Sequence, residues 1–358
     1  MLFLCFFTTK ILELNFSNEI IAWYENNKRD LPWRKTKDPY LIWLSEIILQ
    51  QTRVDQGLSY YLKFSSTYPN VKSFAEAEEN QILNLWQGLG YYSRARNMHF
   101  TAKYICNNLN GVFPSNYKEL LTLKGIGEYT AAAISSFCYN EKKAVVDGNV
   151  FRVLSRYYGI NTPIDTNAGK KDFTKLANEL ICEKNPGNHN QAIMEFGALL
   201  CKPKNPSCNI CNLASSCIAF NKNEISKLPI KSKKIKQKKR HLNYFVITDG
   251  ETLYVEQRNK KDIWEKLYQF PVIETKDEVF ETPENSISNL LTLELIDVRS
   301  LKHILSHQII FGKFWLFRSS KNLDLKNHIK CVKFKNIDNY AVPKLIENYL
   351  NEFFQLIN

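Results

Sequence analysis

Four cysteines crowd one short stretch, CKPKNPSCNICNLASSC, in which Cys201, Cys208, Cys211 and Cys217 are separated by six, two and five residues. Thiols gathered this tightly are metal-ligand candidates, and both zinc and an iron–sulfur cluster accept four of them. A zinc ribbon favours two C-x2-C knuckles set apart by a long insert. A single C-x2-C flanked by longer gaps suits the four corners of a cubane better, with zinc as the alternative. Disulfides are disfavoured in a reducing compartment. Lys202 and Lys204 inside the loop could meet phosphates or stay solvated. The other five cysteines are scattered among apolar or helical neighbours and read as small buried hydrophobes.

Two carboxylates stand in informative surroundings. Glu46 lies in LIWLSEIILQQT, among Ile, Leu and Trp on an expected helix. It either takes an outward face, the reading the residues alone favour, or is partly desolvated with a raised pKa. Asp147, in KKAVVDGNVFRVLSR, follows an apolar run and precedes a helical one. Aspartate there is a good helix N-cap, and the helix N-terminus favours its ionised form near neutrality. An acid and a fixed anion together match the division of labour in glycosidic cleavage. Upstream, LLTLKGIGEYTAAAISSF places Gly125 and Gly127 just ahead of a helix. Glycines two apart allow a tight turn, and the N–H groups that open the next helix can hold a phosphate. The turn could equally be a plain helix corner.

The elements that position these residues come from a chain of 358 residues, long enough for two domains with separate cores. An apolar fraction of 44% excludes wholesale disorder, and a formal charge of +12 points to an anionic partner, nucleic acid first. Through residues 18–221 apolar residues recur at spacings of three and four, with Pro and Gly as punctuation. That pattern predicts a mainly α N-terminal domain, its hairpin near 120–136 and its cysteine loop at 201–217. Residues 222–241, with KSKKIKQKKR, read as a basic solvated linker. From 242 to 358 the period shifts towards two. NYFVITDGETLYVEQR predicts a hairpin around Asp249-Gly250, FGKFWLFRS a strand and PKLIENYLNEFFQLI a closing helix. This smaller domain is therefore α+β. The apolar opening MLFLCFF is short for a signal peptide and lacks its basic flank. No segment is expected to span a membrane. The expectation is a cytoplasmic monomer, nucleoid-associated in a bacterium.

C-x6-C-x2-C-x5-C just after a helical domain resembles the [4Fe–4S] loop of the endonuclease III superfamily of DNA glycosylases. L-x-G-x-G-x-x-T-A followed by Asp147 resembles the helix-hairpin-helix of the same superfamily. RDLPWR, SEIILQQTRV, GLGYYSRARN, VDGNVFRVLSR and NQAIMEFGALLC narrow the likeness to the A/G-specific adenine DNA glycosylases, the MutY family. The likeness is close from about Asn18 to Phe220 and looser beyond. It implies one [4Fe–4S] cluster on the four cysteines, structural and DNA-linked, away from the bond-breaking chemistry. It implies as partner double-stranded DNA containing 8-oxoguanine·A or G·A mispairs. The adenine would be turned out of the stack, Glu46 would protonate its N7, and Asp147 would stabilise an oxocarbenium-like sugar, with or without transient covalent attachment, before water attacks. Tyr129 and Asn149 would orient the aspartate and the sugar. Trp33, Arg34, Leu49 and Gln191 would line the adenine pocket, and Gln51 and Tyr91 would fill the gap in the stack. Glycosylases that also cut the backbone carry a lysine where Tyr129 stands, so the implied enzyme is monofunctional.

The C-terminal domain resembles the Nudix-like module of the same family, in which an F-S-H loop senses 8-oxoguanine. Here that loop reads Leu305-Ser306-His307, which keeps hydrogen bonding by Ser306 and His307 and loses the aromatic contact. DIWEKLYQFP matches the family's Trp-Glu-x-Pro segment only in part. No R-E-x-x-E-E box lies between Phe270 and Leu295, so the module is expected to recognise nucleotides without hydrolysing them. Two other readings fit part of the pattern. An endonuclease III-like pyrimidine glycosylase and lyase is disfavoured by Tyr129 and the extra domain. A non-catalytic iron–sulfur DNA-binding protein is disfavoured by the Glu46/Asp147 pair alone.

Overall fold

The computed structural model describes residues 16–232, 237–259, 261–279, 281, 293–319 and 328–357. The opening MLFLCFF, part of the basic run and much of the stretch searched for a Nudix box lie outside the described residues. The chain divides into two compact units, Met1–Ala75 with Phe100–Lys234, and Glu76–His99 with Ile235–Asn358. Residues 76–99 therefore belong with the C-terminal module, although their helical pattern placed them in the first domain. Contacts distant in sequence hold them there. Asn84 Nδ2 donates to the Asp338 carbonyl at 2.8 Å, and Arg96 donates to the Glu265 carbonyl at 2.7 Å and carboxylate at 2.8 Å.

Helices follow in chain order: α1 (residues 16–27), α2 (Pro39–Leu49), α3 (Val54–Thr67), α4 (Val71–Glu76), α5 (Glu79–Leu85), α6 (Ser93–Asn108), α7 (Tyr117–Leu120), α8 (Glu128–Tyr139), α9 (Gly148–Tyr158), α10 (Asn167–Leu180), α11 (Pro186–Leu199) and α12 (Ile218–Asn221). In the first unit, α2 is apolar nearly all round, and Tyr40, Ile42, Trp43 and every residue from Leu44 to Ile48 are buried. A helix with no polar stripe has to run through a core. Asp38 caps it by accepting from Tyr40 N, and Pro39 opens it. α9 and α11 pack on a core that includes Phe16, Ile20, Val150, Leu154, Phe173, Ile193 and Phe196. The hairpin leading into α8 uses Gly125 in the left-handed region (φ 81°), where a side chain would be strained, whereas Gly127 is the extended N-cap. After α12 the chain stays on this unit: Arg156 Nε donates to the carbonyls of Ile225 and Leu228, and Ile164 N to that of Ile230.

In the second unit a seven-stranded mixed sheet runs in the order β3-β2-β1-β6-β5, with β4 paired to β1 and β7 to β2. The strands are β1 (Lys238–Thr248), β2 (Thr252–Gln257), β3 (Tyr268–Gln269), β4 (Val272–Thr275), β5 (Glu294–Ile304), β6 (Gln308–Arg318) and β7 (Ile329–Lys333). Since β1 opens at Lys238, the linker expected over 222–241 is shorter than composition suggested at both ends. The hairpin at Asp249-Gly250 joins β1 to β2 as expected, while β1 makes its long ladder in parallel with β6. A last helix, α13 (Lys344–Ile357), covers one face; Tyr349 stacks on Phe314 with ring centres 4.1 Å apart. Among the described residues no helix is long and apolar enough to cross a membrane.

Candidate active site and cysteine loop

One cavity of about 190 Å³ in the first unit collects residues from α2, α8, α9, α11 and the turn around Trp33. Glu46 and Asp147 both line it, as do Trp33, Arg34, Leu49, Tyr129, Asn149 and Gln191. Glu46 is only 7% exposed, so the outward face favoured by its sequence neighbours is not taken. Because α2 is enclosed on every side, its one acid can reach solvent only through the cavity. Burial raises the Glu46 carboxyl to about 7, helped by the nearby Asp147; a hydrogen bond from Tyr129 and the Arg34 charge pull the other way. Near neutrality this acid still carries a proton on a large share of molecules.

Asp147 caps α9. Its Oδ1 accepts from Asn149 N at 2.9 Å and Val150 N at 2.8 Å, and its Oδ2 from Asn149 Nδ2 at 2.8 Å. The helix N-terminus favours the charged form of this carboxyl near neutrality. Burial raises its pKa from the ordinary value, while those hydrogen bonds and Arg152 lower it. Tyr129, on the first turn of α8, keeps its proton because burial and the two carboxylates push its pKa far up. It bonds to Glu46, and its hydroxyl lies 3.4 Å from Met194 Sδ.

Residues not anticipated complete the wall. Glu195 is 1% exposed and takes paired hydrogen bonds from Arg29 and from Arg34, whose Nη1 and Nη2 lie 2.9 and 2.8 Å from its two oxygens. Burial opposes its charge, yet these bonds outweigh it and hold the carboxyl at about 2. The ion pair fixes Arg34 at the cavity edge. Tyr24 donates to Gln191 Oε1 at 2.8 Å and so holds this side chain at the cavity wall. Behind Asn149, Arg152 donates to Asn149 Oδ1, the Gly197 carbonyl and the Cys201 carbonyl, each at 2.8 Å. Glu195 sits one turn after Gln191 on α11, a helical spacing visible in NQAIMEFGALLC. Arg29 and Tyr24 carry no such local signal.

Gln51, Gly125, Gly127, Tyr91, Ser306 and His307 lie outside this cavity. Gln51 is exposed just past the end of α2 with φ 61°. Tyr91, Ser306 and His307 line a separate cleft within the second unit, where the Tyr91 and Ser306 hydroxyls are 2.6 Å apart.

The four cysteines of the loop line a further cavity with Val153, Arg156, Phe196, Leu200 and Leu213. Arg156 Nη1 reaches Cys201 Sγ at 3.4 Å, backbone N–H of Leu213 faces Cys211, and those of Phe220 and Ala219 face Cys217. As thiols, Cys208, Cys211 and Cys217 are pushed up by burial, Cys211 to about 11. Among the described residues no group of three or more His, Cys, Asp or Glu side chains is arranged to hold a metal ion.

A helical hairpin, followed by a capped aspartate that shares one cavity with a buried acid, points to a class, the base-excision DNA glycosylases. Residues 44–179 match the HhH-GPD superfamily base excision DNA repair protein family, and residues 243–352 match the NUDIX domain. A solved structure described as a thermostable thymine-DNA glycosylase superposes with a TM-score of 0.56 at 30% identity, over 60% of this chain and 99% of that one. The chain belongs to the adenine DNA glycosylase family, enzymes of base-excision repair that hydrolyse the N-glycosidic bond. It is 36% identical over 306 residues to the adenine DNA glycosylase of Buchnera aphidicola subsp. Baizongia pistaciae, covering 85% of this chain and 86% of the relative. It is 35% identical over 350 residues to that of Buchnera aphidicola subsp. Schizaphis graminum, covering 94% and 98%.

Proposed function

We propose that the enzyme excises adenine mispaired with 8-oxoguanine or guanine in duplex DNA, acting as a monofunctional glycosylase on a base turned out into the 190 Å³ cavity. The observation that carries this reading is the shared cavity itself, with a desolvated acid and an N-capping aspartate on its wall. Extrusion costs roughly a few kcal/mol, less for a mispaired base. Glu46 gives its proton to adenine N7 as the C1′–N9 electron pair moves into the base. Asp147 faces the cation left on the sugar and stays correctly aimed because Asn149 and two backbone N–H groups hold both its oxygens. Water then adds at C1′, and its proton passes to the Glu46 carboxylate left by the first step, which restores the acid. Tyr129 offers no amine for a Schiff base, which favours hydrolysis without strand cleavage. In the second unit, Ser306 and His307 face the base opposite. Binding is to duplex DNA by a monomer, in the cytoplasm.

The four cysteines fit one [4Fe–4S] cluster. N–H donors aimed at three of the sulfurs suit thiolates better than thiols. Cys201, Cys208, Cys211 and Cys217 would hold the cluster, which would cross-link the loop and take no part in bond breaking. Purified protein with a broad brown absorbance and four irons supports this; a colourless zinc protein overturns it.

The activity itself is tested on a duplex carrying 8-oxoguanine opposite adenine. Adenine release with strand breaks appearing only after alkali is expected, and none from Glu46→Gln or Asp147→Asn with duplex binding intact. Breaks without alkali, or turnover by either variant, would contradict the assignment.

A further inference from the structure

The chain reaches Asp147 through residues 140–147, which form no helix or strand. Ala144 and Val145 in this stretch are nevertheless buried, at 7% and 1% exposure. Buried backbone has to find hydrogen-bond partners, and without a neighbouring strand they come from side chains. Two asparagines supply them. Asn178, half-buried on α10, accepts from Ala144 N at 3.1 Å. Asn190, 1% exposed on α11, accepts from Val145 N at 3.1 Å through Oδ1 and donates to the Lys143 carbonyl at 2.8 Å through Nδ2. An amide that takes the carbonyl of one residue and the N–H two residues on reproduces the bonds a residue of a parallel strand would make.

The same Nδ2 also donates to Ser136 Oγ at 2.9 Å, in the last turn of α8. Asn190 reaches both partners because α11 begins hard against α8. A Cβ on Gly187, one turn earlier, would lie 2.7 Å from the Ser136 carbonyl oxygen and 3.3 Å from Phe137 Cα. One buried amide therefore ties α8 and α11 to the approach to Asp147, which stands two residues beyond Val145. From the same turn of α11, Gln191 lines the catalytic cavity.

We propose that Asn190 is a positioning residue for excision, holding the chain ahead of Asp147 so that the carboxylate stands at the distance from C1′ that stabilises the sugar cation. The inference rests on the reading that Asp147 faces that cation. Bonds within the α9 cap set how the carboxylate is turned, and Asn190 sets where the cap begins. A misplacement of about 1 Å at a reacting centre costs up to about a hundredfold in rate. At 1% exposure no solvent replaces a lost Asn190 bond, whereas water can take over from the half-exposed Asn178.

The test compares Asn190→Leu, Asn190→Ser and Asn178→Leu with the parent full-length protein on an 8-oxoguanine·A duplex. It reads single-turnover adenine release at saturating enzyme, duplex affinity and the thermal midpoint. A merely structural lesion lowers the midpoint and the amplitude of release, because fewer molecules are folded, and leaves the rate constant unchanged. Leucine matches asparagine in size and leaves the Lys143 carbonyl and Val145 N–H unpaired. Serine is too short to reach both, and it carries the test if the leucine variant does not fold. We expect the rate constant to fall at least tenfold in either Asn190 variant with duplex affinity within threefold of the parent, and less than threefold in Asn178→Leu. A reduced amplitude at an unchanged rate constant, a parallel loss of duplex affinity, or an equal fall in Asn178→Leu would overturn the proposal. Full activity in Asp147→Asn would instead overturn the reading beneath it.

Discussion

Replacing Glu46 by glutamine should stabilise the protein in alkali while abolishing its chemistry. The carboxyl titrates near 4.5 in the unfolded chain and at about 7 in the folded one, chiefly because burial disfavours the charge. A raised folded-state value means that the folded protein holds the proton more tightly. Its contribution is thus fully present below pH 4.5 and is lost as the pH rises through 7. Each pH unit between the two values is worth about 1.4 kcal/mol, so the ionised, buried carboxylate costs about 3 kcal/mol above pH 8 and under about 1 kcal/mol at pH 5. Glutamine, similar in shape and uncharged, bears no such cost. The comparison to make is the thermal midpoint of parent and Glu46→Gln at pH 5, 6.5 and 8. Groups common to both proteins cancel, and the gap in favour of the variant should widen by roughly 5–10 °C from acid to alkali. A gap that stays constant across the series would mean that Glu46 is not desolvated, and the proton-donor argument would fall with it.

Two further outcomes follow from the support behind Asp147. Arg152→Gln loses the charged donor that ties Asn149 Oδ1 to the Cys201 carbonyl. A charge-assisted bond contributes about 1.5–3 kcal/mol, so single-turnover adenine release should slow ten- to a hundredfold with the visible spectrum retained. Gly197→Ala would set a Cβ 2.7 Å from Asn149 Cβ and 3.1 Å from its carbonyl oxygen. Asn149 has to move, and excision should slow at least tenfold while duplex affinity, measured by gel shift, stays within a fewfold.

Local chemistry made much of this legible in advance. The capping aspartate and the glycine turn are encoded in neighbouring residues, and Asp147 caps α9 and Gly125 turns left-handed where the pattern put them. The face that Glu46 takes was not legible, because an acid in LIWLSEIILQQT looks outward unless the whole helix is known to be enclosed. The grouping of residues 76–99 with the C-terminal module rests on single polar contacts such as Asn84 with Asp338, which leave no periodic trace. The same holds for Tyr24 on Gln191 and Arg29 on Glu195, partners more than 160 residues apart. The basic run misled for a different reason: Lys238, Lys239 and Arg240 are polar and yet begin β1, where Arg240 is buried against Glu274 and Asp262. Composition alone cannot tell a solvated lysine run from a strand whose charges are paired.

If a protonated Glu46 gives up its proton as the glycosidic bond breaks, single-turnover adenine release has to follow the titration of that carboxyl. With a titration near 7, the rate constant should fall about tenfold per pH unit above pH 8 and level off below pH 6. A rate constant independent of pH from 6 to 9, in a protein that still binds the duplex, would contradict it.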